Sequence, residues 1–250
     1  TGQVWYNTTA DTLKYQAVLA AGSWATTNTL NSGREKAAGG GTSTAALVFG
    51  GTSPSSPSGT DTELWNGTNW TEVNNLNEGR VKLMAAGQTN NAMLGFGGDP
   101  PDAAVTVNTE VWNGTNWTEV NNLNNARKEL MGTGNTNTAA IAFGGGVNNE
   151  LWNGTNWTEV NNLNNGRAEG GGSGSSTAAL AYGGDSPNNA TESWNGTNWA
   201  AVANLNAGRK LGAGAGTANT TALYFAGENP PGALSEQYTG SSATRTVGSE

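Results

Sequence analysis

Two residue types are missing altogether: the 250-residue chain contains no cysteine and no histidine. Without cysteine there is neither a disulfide framework nor a thiolate metal site, and nothing marks a redox compartment. Without histidine the usual general base and the commonest metal ligand are gone. Most enzyme templates fall with them. A pair of carboxylates brought together by the fold, as in a glycosidase, is the enzyme chemistry left open. Basic residues are scarce, 11 against 19 acidic for a net charge of −8. The arginines are spread along the chain rather than clustered, so no nucleic-acid partner is expected. No apolar run reaches the length of a membrane span, so no membrane insertion is expected either. The opening TGQVWYNTTA has neither the basic nor the apolar region of a signal peptide, and a mature or excised fragment would look the same. Hydrophobic residues are only 35%, whereas glycine occurs 38 times, which points to a core of closely approaching small residues.

What is present is a repeat. The phrase ELWNGTNWTEVNNLNEGR at Glu63–Arg80 returns in similar form from Glu110, Glu150 and Glu192. Aligned on Trp24, Trp70, Trp117, Trp157 and Trp199, the copies are spaced by 46, 47, 40 and 42 residues, periods typical of propellers or solenoids. Each of these tryptophans is followed ten positions on by an arginine: Arg34, Arg80, Arg127, Arg167 and Arg209. Beyond each arginine lie a Gly-rich segment and an apolar run closed by an aromatic, Phe49, Phe96, Phe143, Tyr182 or Phe225. These runs have strand length and are not amphipathic, so they read as strands covered on both faces. Next comes a glutamate: Glu63, Glu110, Glu150, Glu192 or Glu236. All length variation falls between the Gly-Gly and that glutamate, in residues 52–62, 99–109, 147–149, 185–191 and 228–235, and so do all seven prolines. Proline and variable length together mark surface loops.

WNGTNW reads as a hairpin, since glycine accepts the positive φ of a tight connection. With Gly-Thr at the tip, Trp65 and Trp70 face each other across the strands; with Asn-Gly at the tip, Trp65 faces Thr68. Each unit then has four antiparallel strands: a Gly-rich inner strand, the apolar strand, the Glu-x-Trp strand and an outer strand starting at the second Trp. Glycine suits the inner strand, where strands crowd the axis. Four such strands per repeat of this length describe a propeller blade.

The order of arginine, apolar strand, Gly-Gly, variable loop, acidic residue, aromatic and Trp resembles the kelch repeat across roughly residues 24–240. It departs from that pattern in placing Trp65, Trp112, Trp152 and Trp194 where kelch repeats carry tyrosine, with Tyr238 alone keeping it. The Asn/Thr/Gly-rich, closely similar copies resemble kelch-like arrays encoded by marine bacteriophages. The start GQVWYNTTADTLKY is similar to a short hairpin found at domain entries of phage tail-fibre and structural proteins.

The expected fold is therefore all-β: a five-bladed β-propeller of four-stranded antiparallel blades. The last repeat has Ala243 where its outer Trp should stand, and Trp24 begins an outer strand with no blade before it. Residues 23–30 should thus pair beside Glu236–Tyr238, an N-terminal outer strand that completes the last blade and closes the ring. This divides the chain into a lead-in hairpin at 1–22, blades at about 33–77, 79–124, 126–164, 166–206 and 208–240, and a tail at 241–250.

The recurrent arginines and glutamates read either as an ion-binding ring along the axis or as pairs within or between blades. Recurrence in every blade is what packing produces, and it favours the second reading. The same holds for Trp70, Trp117, Trp157 and Trp199 as core rather than sugar platforms. The loop carboxylates Asp61, Asp99, Asp102 and Asp185 suit a hard cation such as calcium, but their spacing matches no calcium loop and solvation is the simpler reading. Loops from outer strand to next inner strand should share a face with the variable loops. The residues expected to meet a ligand there are Asp61, Asp99, Asp102, Asn121, Asn122, Asn161, Asn162, Asp185 and Glu228. No catalytic residue, metal site or cofactor is expected. The function implied is a non-enzymatic binding module, virion-borne or extracellular, touching a host-surface glycan or protein beside other virion proteins. The alternatives are a purely structural propeller, an engineered or amplified repeat scaffold, or a glycosidase-type enzyme. No Trp, Tyr or Phe stands in the five loops, which counts against a lectin.

Overall fold

The hairpin phrase dictates the first contacts. Asn66 donates its backbone N–H to the Asn69 carbonyl (3.2 Å), and its side-chain oxygen accepts the N–H groups of Thr68 and Asn69 (2.9 Å each). Gly67 takes a φ of +92° in this turn. The tip is therefore Gly-Thr, and Trp65 stands directly opposite Trp70 with ring centroids 5.3 Å apart. The same pairing recurs at Trp112/Trp117, Trp152/Trp157 and Trp194/Trp199.

The computed structural model describes residues 3–7, 12–16, 26–53, 57–101, 104–185, 189–228 and 234–240. β1 (Gln3–Asn7) and β2 (Thr12–Gln16) form an antiparallel hairpin with its own two-stranded sheet. Blade 1 contains β3 (Ala38–Thr42), β4 (Ala45–Phe49), β5 (Thr62–Trp65) and β6 (Trp70–Val73). Blade 2 contains β7 (Met84–Thr89), β8 (Ala92–Phe96), β9 (Thr109–Trp112) and β10 (Trp117–Val120). Blade 3 follows with β11 (Leu130–Thr136), β12 (Ala139–Gly144), β13 (Asn149–Trp152) and β14 (Trp157–Val160). Blade 4 has β15 (Gly171–Ser175), β16 (Ala178–Tyr182), β17 (Thr191–Trp194) and β18 (Trp199–Ala201). Blade 5 has β19 (Ala213–Ala218), β20 (Thr221–Phe225) and β21 (Ser235–Thr239). Strands within each sheet pair in chain order, all antiparallel. The five inner strands line one central channel of about 310 Å³. The fold is thus an all-β, five-bladed β-propeller, and no helix among the described residues is long and apolar enough to cross a membrane.

The core lies in wedges between blades. Phe49 of blade 1 packs on Trp117 of blade 2 (4.6 Å), Phe96 on Trp157 (5.0 Å) and Phe143 on Trp199 (5.0 Å). Two of these indoles also donate back to the preceding blade, Trp117 Nε1 to Thr62 Oγ1 (3.1 Å) and Trp157 Nε1 to Thr109 Oγ1 (3.0 Å). The other tryptophan of each pair works inside its own blade. Trp65, Trp112, Trp152 and Trp194 each donate Nε1 at 3.0 Å to a backbone carbonyl in the turn between the first two strands. A buried indole N–H usually finds such a partner; Trp199 Nε1 is buried without one.

This wedge, as well as crowding between inner strands such as Gly40 beside the Gly87 carbonyl, requires glycine in the inner strand. A Cβ on Gly172 would lie 2.8 Å from the Phe143 ring, and one on Gly132 would lie 2.7 Å from the Phe96 ring. The neighbouring blade's aromatic occupies that space. In blade 2 the inner strand carries Ala85, and its cross-strand partner Gly95 is the glycine lying under Phe49.

Four junctions also share a backbone ladder. Lys82 N–H donates to the Lys36 carbonyl (2.9 Å), Glu129 to Lys82 (3.4 Å), Glu169 to Glu129 (3.0 Å) and Leu211 to Glu169 (2.8 Å). Each of these residues has φ between +55° and +59°, a left-handed conformation costing roughly 1–2 kcal/mol for a non-glycine residue. The seam from blade 5 to blade 1 differs. Among the described residues no such bond joins Leu211 and Lys36, and Leu223 and Phe225 are 39% and 38% exposed where Leu47 and Phe49 are 1% and 0%. Of the outer strand expected at 23–30, residues 23–25, with Trp24, lie outside the described residues. Residues 26–30 form no strand, and blade 5 shows three strands among the described residues.

Overfilling a close-packed wedge costs about 1–3 kcal/mol. Gly172→Ala should therefore lower stability by that amount in urea unfolding. Gly33→Ala, where a Cβ meets nothing within 4 Å, should stay within about 0.5 kcal/mol of the parent. Equal stability of the two variants would refute the wedge explanation.

Candidate functional site

Each blade is built around one glutamate, buried in blades 1 to 4 and partly buried in blade 5. In blade 2, Arg80 donates Nη2 to Glu110 Oε1 (2.8 Å) and Nη1 to the carbonyls of Asn108 (2.7 Å) and Gly97 (3.2 Å). The other carboxylate oxygen accepts the backbone N–H and the side-chain amide of Asn77, both at 2.8 Å. Asn77 also donates to the Trp117 carbonyl (3.3 Å). Arg127–Glu150 (2.7 Å), Arg167–Glu192 (2.6 Å) and Arg209–Glu236 (2.6 Å) repeat the pair, as does Arg34–Glu63. Asn31, Asn124, Asn164 and Asn206 take the place of Asn77. The recurrent charges thus pair within blades rather than lining the axis. Burial pushes the guanidinium groups of Arg80, Arg127 and Arg167 down from their ordinary value, and the paired glutamates pull them back. Removing one partner of such a pair typically costs 3–5 kcal/mol, because the other charge is left buried alone.

The clamp also fixes the variable loops at both ends. At the far end, the N–H groups of Leu76, Leu123, Leu163 and Leu205 donate to the carbonyls of Thr60, Val107, Val147 and Asn189. The next carbonyls, of Asp61, Asn108, Asn148 and Ala190, accept from Arg34, Arg80, Arg127 and Arg167. At the near end, Gly51, Gly98, Gly146 and Gly184 donate to the carbonyls of Arg80, Arg127, Arg167 and Arg209 in the following blade. Between these anchors lie residues 52–59, 99–106 and 185–188, and none in blade 3. Linkers and variable loops therefore meet on one face, as their order along the chain implies.

The expected ligand-facing residues divide into several groups. Asp99 holds Lys128 (2.8 Å), Asp185 accepts the Ala168 N–H (2.8 Å), and Asp61 accepts the Asn75 amide (3.4 Å). Asn122 accepts the Thr109 N–H (3.0 Å) and donates to Asn108 (3.3 Å). Asn121 and Asn161 reach the next blade's hairpin turn. The former binds the Thr155 carbonyl and Asn156 (3.0 and 2.7 Å), the latter the Thr197 carbonyl and Asn198 (3.0 and 2.8 Å). Asn162 and Glu228 are exposed, and the Glu228 backbone pairs with Lys210. Asp102 lies outside the described residues. The loop carboxylates sit on different blades, and among the described residues no three acidic groups converge. The ladder residues Lys36, Lys82, Glu129, Glu169 and Leu211 were not legible as a set. Their position two after each arginine is constant, but their side chains share no chemistry. Ion pairs decorate that ring, Lys82 with Glu129 and Lys210 with Glu169 (2.7 Å).

No protein-family model matches the chain, and no curated protein matches it in sequence. The class of the protein therefore rests on its own geometry: a five-bladed propeller whose repeated clamp presents anchored loops of unequal length.

The clamp of blade 5 gives a pH dependence. Burial raises the Glu236 carboxyl, but the bonds from Asn206, Arg209 and Ala207 outweigh it and hold the group below the usual carboxylate range. Its folded value lies below its unfolded one. Its contribution is thus complete above about pH 4.3 and is lost as pH falls through the depressed native value. Glu236→Gln should be less stable than the parent at pH 7, and the gap between their thermal midpoints should narrow below about pH 4. A gap unchanged from pH 7 to the acid limit would contradict this.

Proposed function

We propose that the chain is a non-enzymatic recognition module whose ligand is bound by the face carrying the variable loops. The observation that carries this is the anchoring of those loops. Fixed carbonyls and amides hold their ends, while 52–59, 99–106 and 185–188 differ in length and composition. A repeat scaffold with loops free to vary between fixed ends is where recognition usually resides. The resemblance to kelch-like arrays of marine bacteriophages supports a virion-surface or tail-fibre setting, with a host-surface glycan or protein as ligand. In the enzyme alternative a carboxylate pair would do the chemistry. Burial raises the Tyr182 hydroxyl to about 12, out of range for proton transfer near neutral pH.

A structural role on a particle is the second reading. It is favoured by the absence of aromatics from the loops and by the hydrogen bonds that occupy Asp61, Asp99, Asn121, Asn122 and Asn161.

Blade 3 supplies the control. Replacing residues 50–61 and 97–108 by the five-residue connection at 144–148 removes the segments between the anchors while keeping the anchors. Displayed multivalently against glycan arrays and whole bacterial surfaces, the parent should bind and this variant should lose at least tenfold. Equal binding would place recognition elsewhere, and no binding by the parent would favour the structural role.

A further inference from the structure

The dipeptide Asn-Gly occurs five times, at Asn66, Asn113, Asn153, Asn165 and Asn195. It is the pair most open to attack by a backbone nitrogen on the preceding side chain, because glycine has no Cβ to hinder the approach. All five asparagines are exposed, so exposure does not separate them. Hydrogen bonding does. In the four WNGTNW hairpins the asparagine Oδ1 accepts the N–H groups two and three residues further on, at 2.8–3.0 Å. The asparagine's own N–H closes the turn at 3.2 Å. Side chain and backbone are fixed together, with Oδ1 turned toward the tip.

Asn165 stands instead in the linker that clamps blade 4. Its N–H donates to Glu192 Oε1 (3.2 Å) and its carbonyl accepts from Arg167 Nε (3.4 Å), but its side chain makes no hydrogen bond among the described residues. The repeat shows why. In the preceding linker the same place is held by Asn125, which donates Nδ2 to Glu159 (2.6 Å), two residues after Trp157. Two residues after Trp199 stands Ala201, which offers no side-chain acceptor. Asn125 is also followed by Ala126, and the remaining linkers carry Ser32, Glu78 and Ala207 at this place. An unheld asparagine followed by glycine is thus particular to the linker of blade 4.

We propose that Asn165–Gly166 is a site of spontaneous covalent modification, at which the folded chain loses the Asn165 side-chain amide as ammonia. The Gly166 nitrogen gives up its proton to solvent base and attacks Asn165 Cγ. The new N–Cγ bond forms as the Cγ–Nδ2 bond breaks, and Nδ2 leaves as ammonia after taking up a proton from solvent. Water then opens the cyclic imide. Attack at Cγ gives aspartate, and attack at the main-chain carbonyl carbon gives isoaspartate, whose backbone runs through Cγ. The second product strikes the clamp. Glu192 is gripped from Asn164, through its N–H (2.9 Å) and Nδ2 (2.7 Å), and from Arg167, through Nη2 (2.6 Å). Isoaspartate inserts one extra backbone carbon between these two grips. Arg167 also holds the Ala190 carbonyl (2.6 Å) and exchanges backbone bonds with Gly146, so the loop anchors of blades 3 and 4 loosen with it.

The test is ageing of the full-length chain at mildly alkaline pH, folded and in parallel in concentrated urea, with amide loss at each asparagine followed by peptide mapping and fragmentation. In the folded chain Asn165 should lose its amide at least about tenfold faster than Asn66, Asn113, Asn153 and Asn195, which must first break two bonds to Oδ1. In urea the five should react alike. Ala201→Glu, which supplies the acceptor that Asn125 has, should slow Asn165 about fivefold, the worth of one hydrogen bond. Aged parent should melt below fresh parent, whereas aged Asn165→Ser, with the residue that blade 1 carries at Ser32, should keep its midpoint. Amide loss at Asn165 no faster than at the four hairpin asparagines of the folded chain would overturn the proposal. So would a preference for Asn165 that persisted unchanged in urea.

Discussion

A glutamate buried beneath its own blade's linker is the interaction on which the rest of the architecture depends. Taking a carboxylate and a guanidinium out of water costs several kcal/mol per ion, and that cost is met only when the remaining lone pairs and protons are also bonded. In blade 4 they are. Glu192 receives Arg167 on one oxygen and both donors of Asn164 on the other, while Arg167 spends its other donors on the carbonyls of Asn165, Gly183 and Ala190. A linker, a third strand and both ends of a variable loop are tied to one point. The stretch of loop between those ends makes no bond to the buried glutamate, so it can change length from blade to blade without disturbing the clamp.

Between blades the organising contact is apolar and directional. At three junctions the aromatic at the end of the second strand lies against the next blade's outer tryptophan and over a small residue of the next blade's sheet. One glycine per such junction follows from this contact: the aromatic needs one bare Cα, and either the inner strand or its neighbour provides it, as Gly132 and Gly95 show. The backbone ladder then sets the spacing of neighbours through residues that accept a left-handed conformation in order to donate across the junction. The three junctions from blade 1 to blade 4 satisfy both requirements. Between blades 4 and 5 the ladder continues, but Tyr182 meets Tyr224 at 5.0 Å in place of an outer tryptophan, and blade 5 leaves Leu223 and Phe225 partly open on its other side.

Much of this was legible because the repeat is an internal alignment. Phase alone located the arginine, the glutamate, the paired tryptophans and the window of variable length, and strand length with Gly-Asn turn chemistry gave four strands per unit. The ambiguity at the hairpin tip, Gly-Thr or Asn-Gly, was a question of backbone geometry that the Asn66 side chain decides by bonding Thr68 and Asn69. The candidate ligand residues were harder to read. Asn121 and Asn161 look like free loop amides in the sequence, yet their partners are the hairpin turn of the following blade, 34 to 37 residues away. The inner glycines were expected at a crowded axis, and Gly40, whose Cβ would lie 2.9 Å from the Gly87 carbonyl of the next inner strand, fits that, whereas Gly132 and Gly172 are required by a phenylalanine in another repeat. Both lessons concern contacts between repeats, which periodicity within one repeat does not reveal.

Hydrogen exchange on the folded chain tests the account most directly. Asn77, Asn124 and Asn164 lie in linkers between strands, yet their N–H groups are bonded to buried carboxylates at 2.7–2.9 Å. These amides should exchange as slowly as those of the central strands, opening only with the blade. If they exchange as fast as the turn amides of Thr68 and Thr115, the buried glutamate does not hold the linker, and the clamp is not what organises the blade.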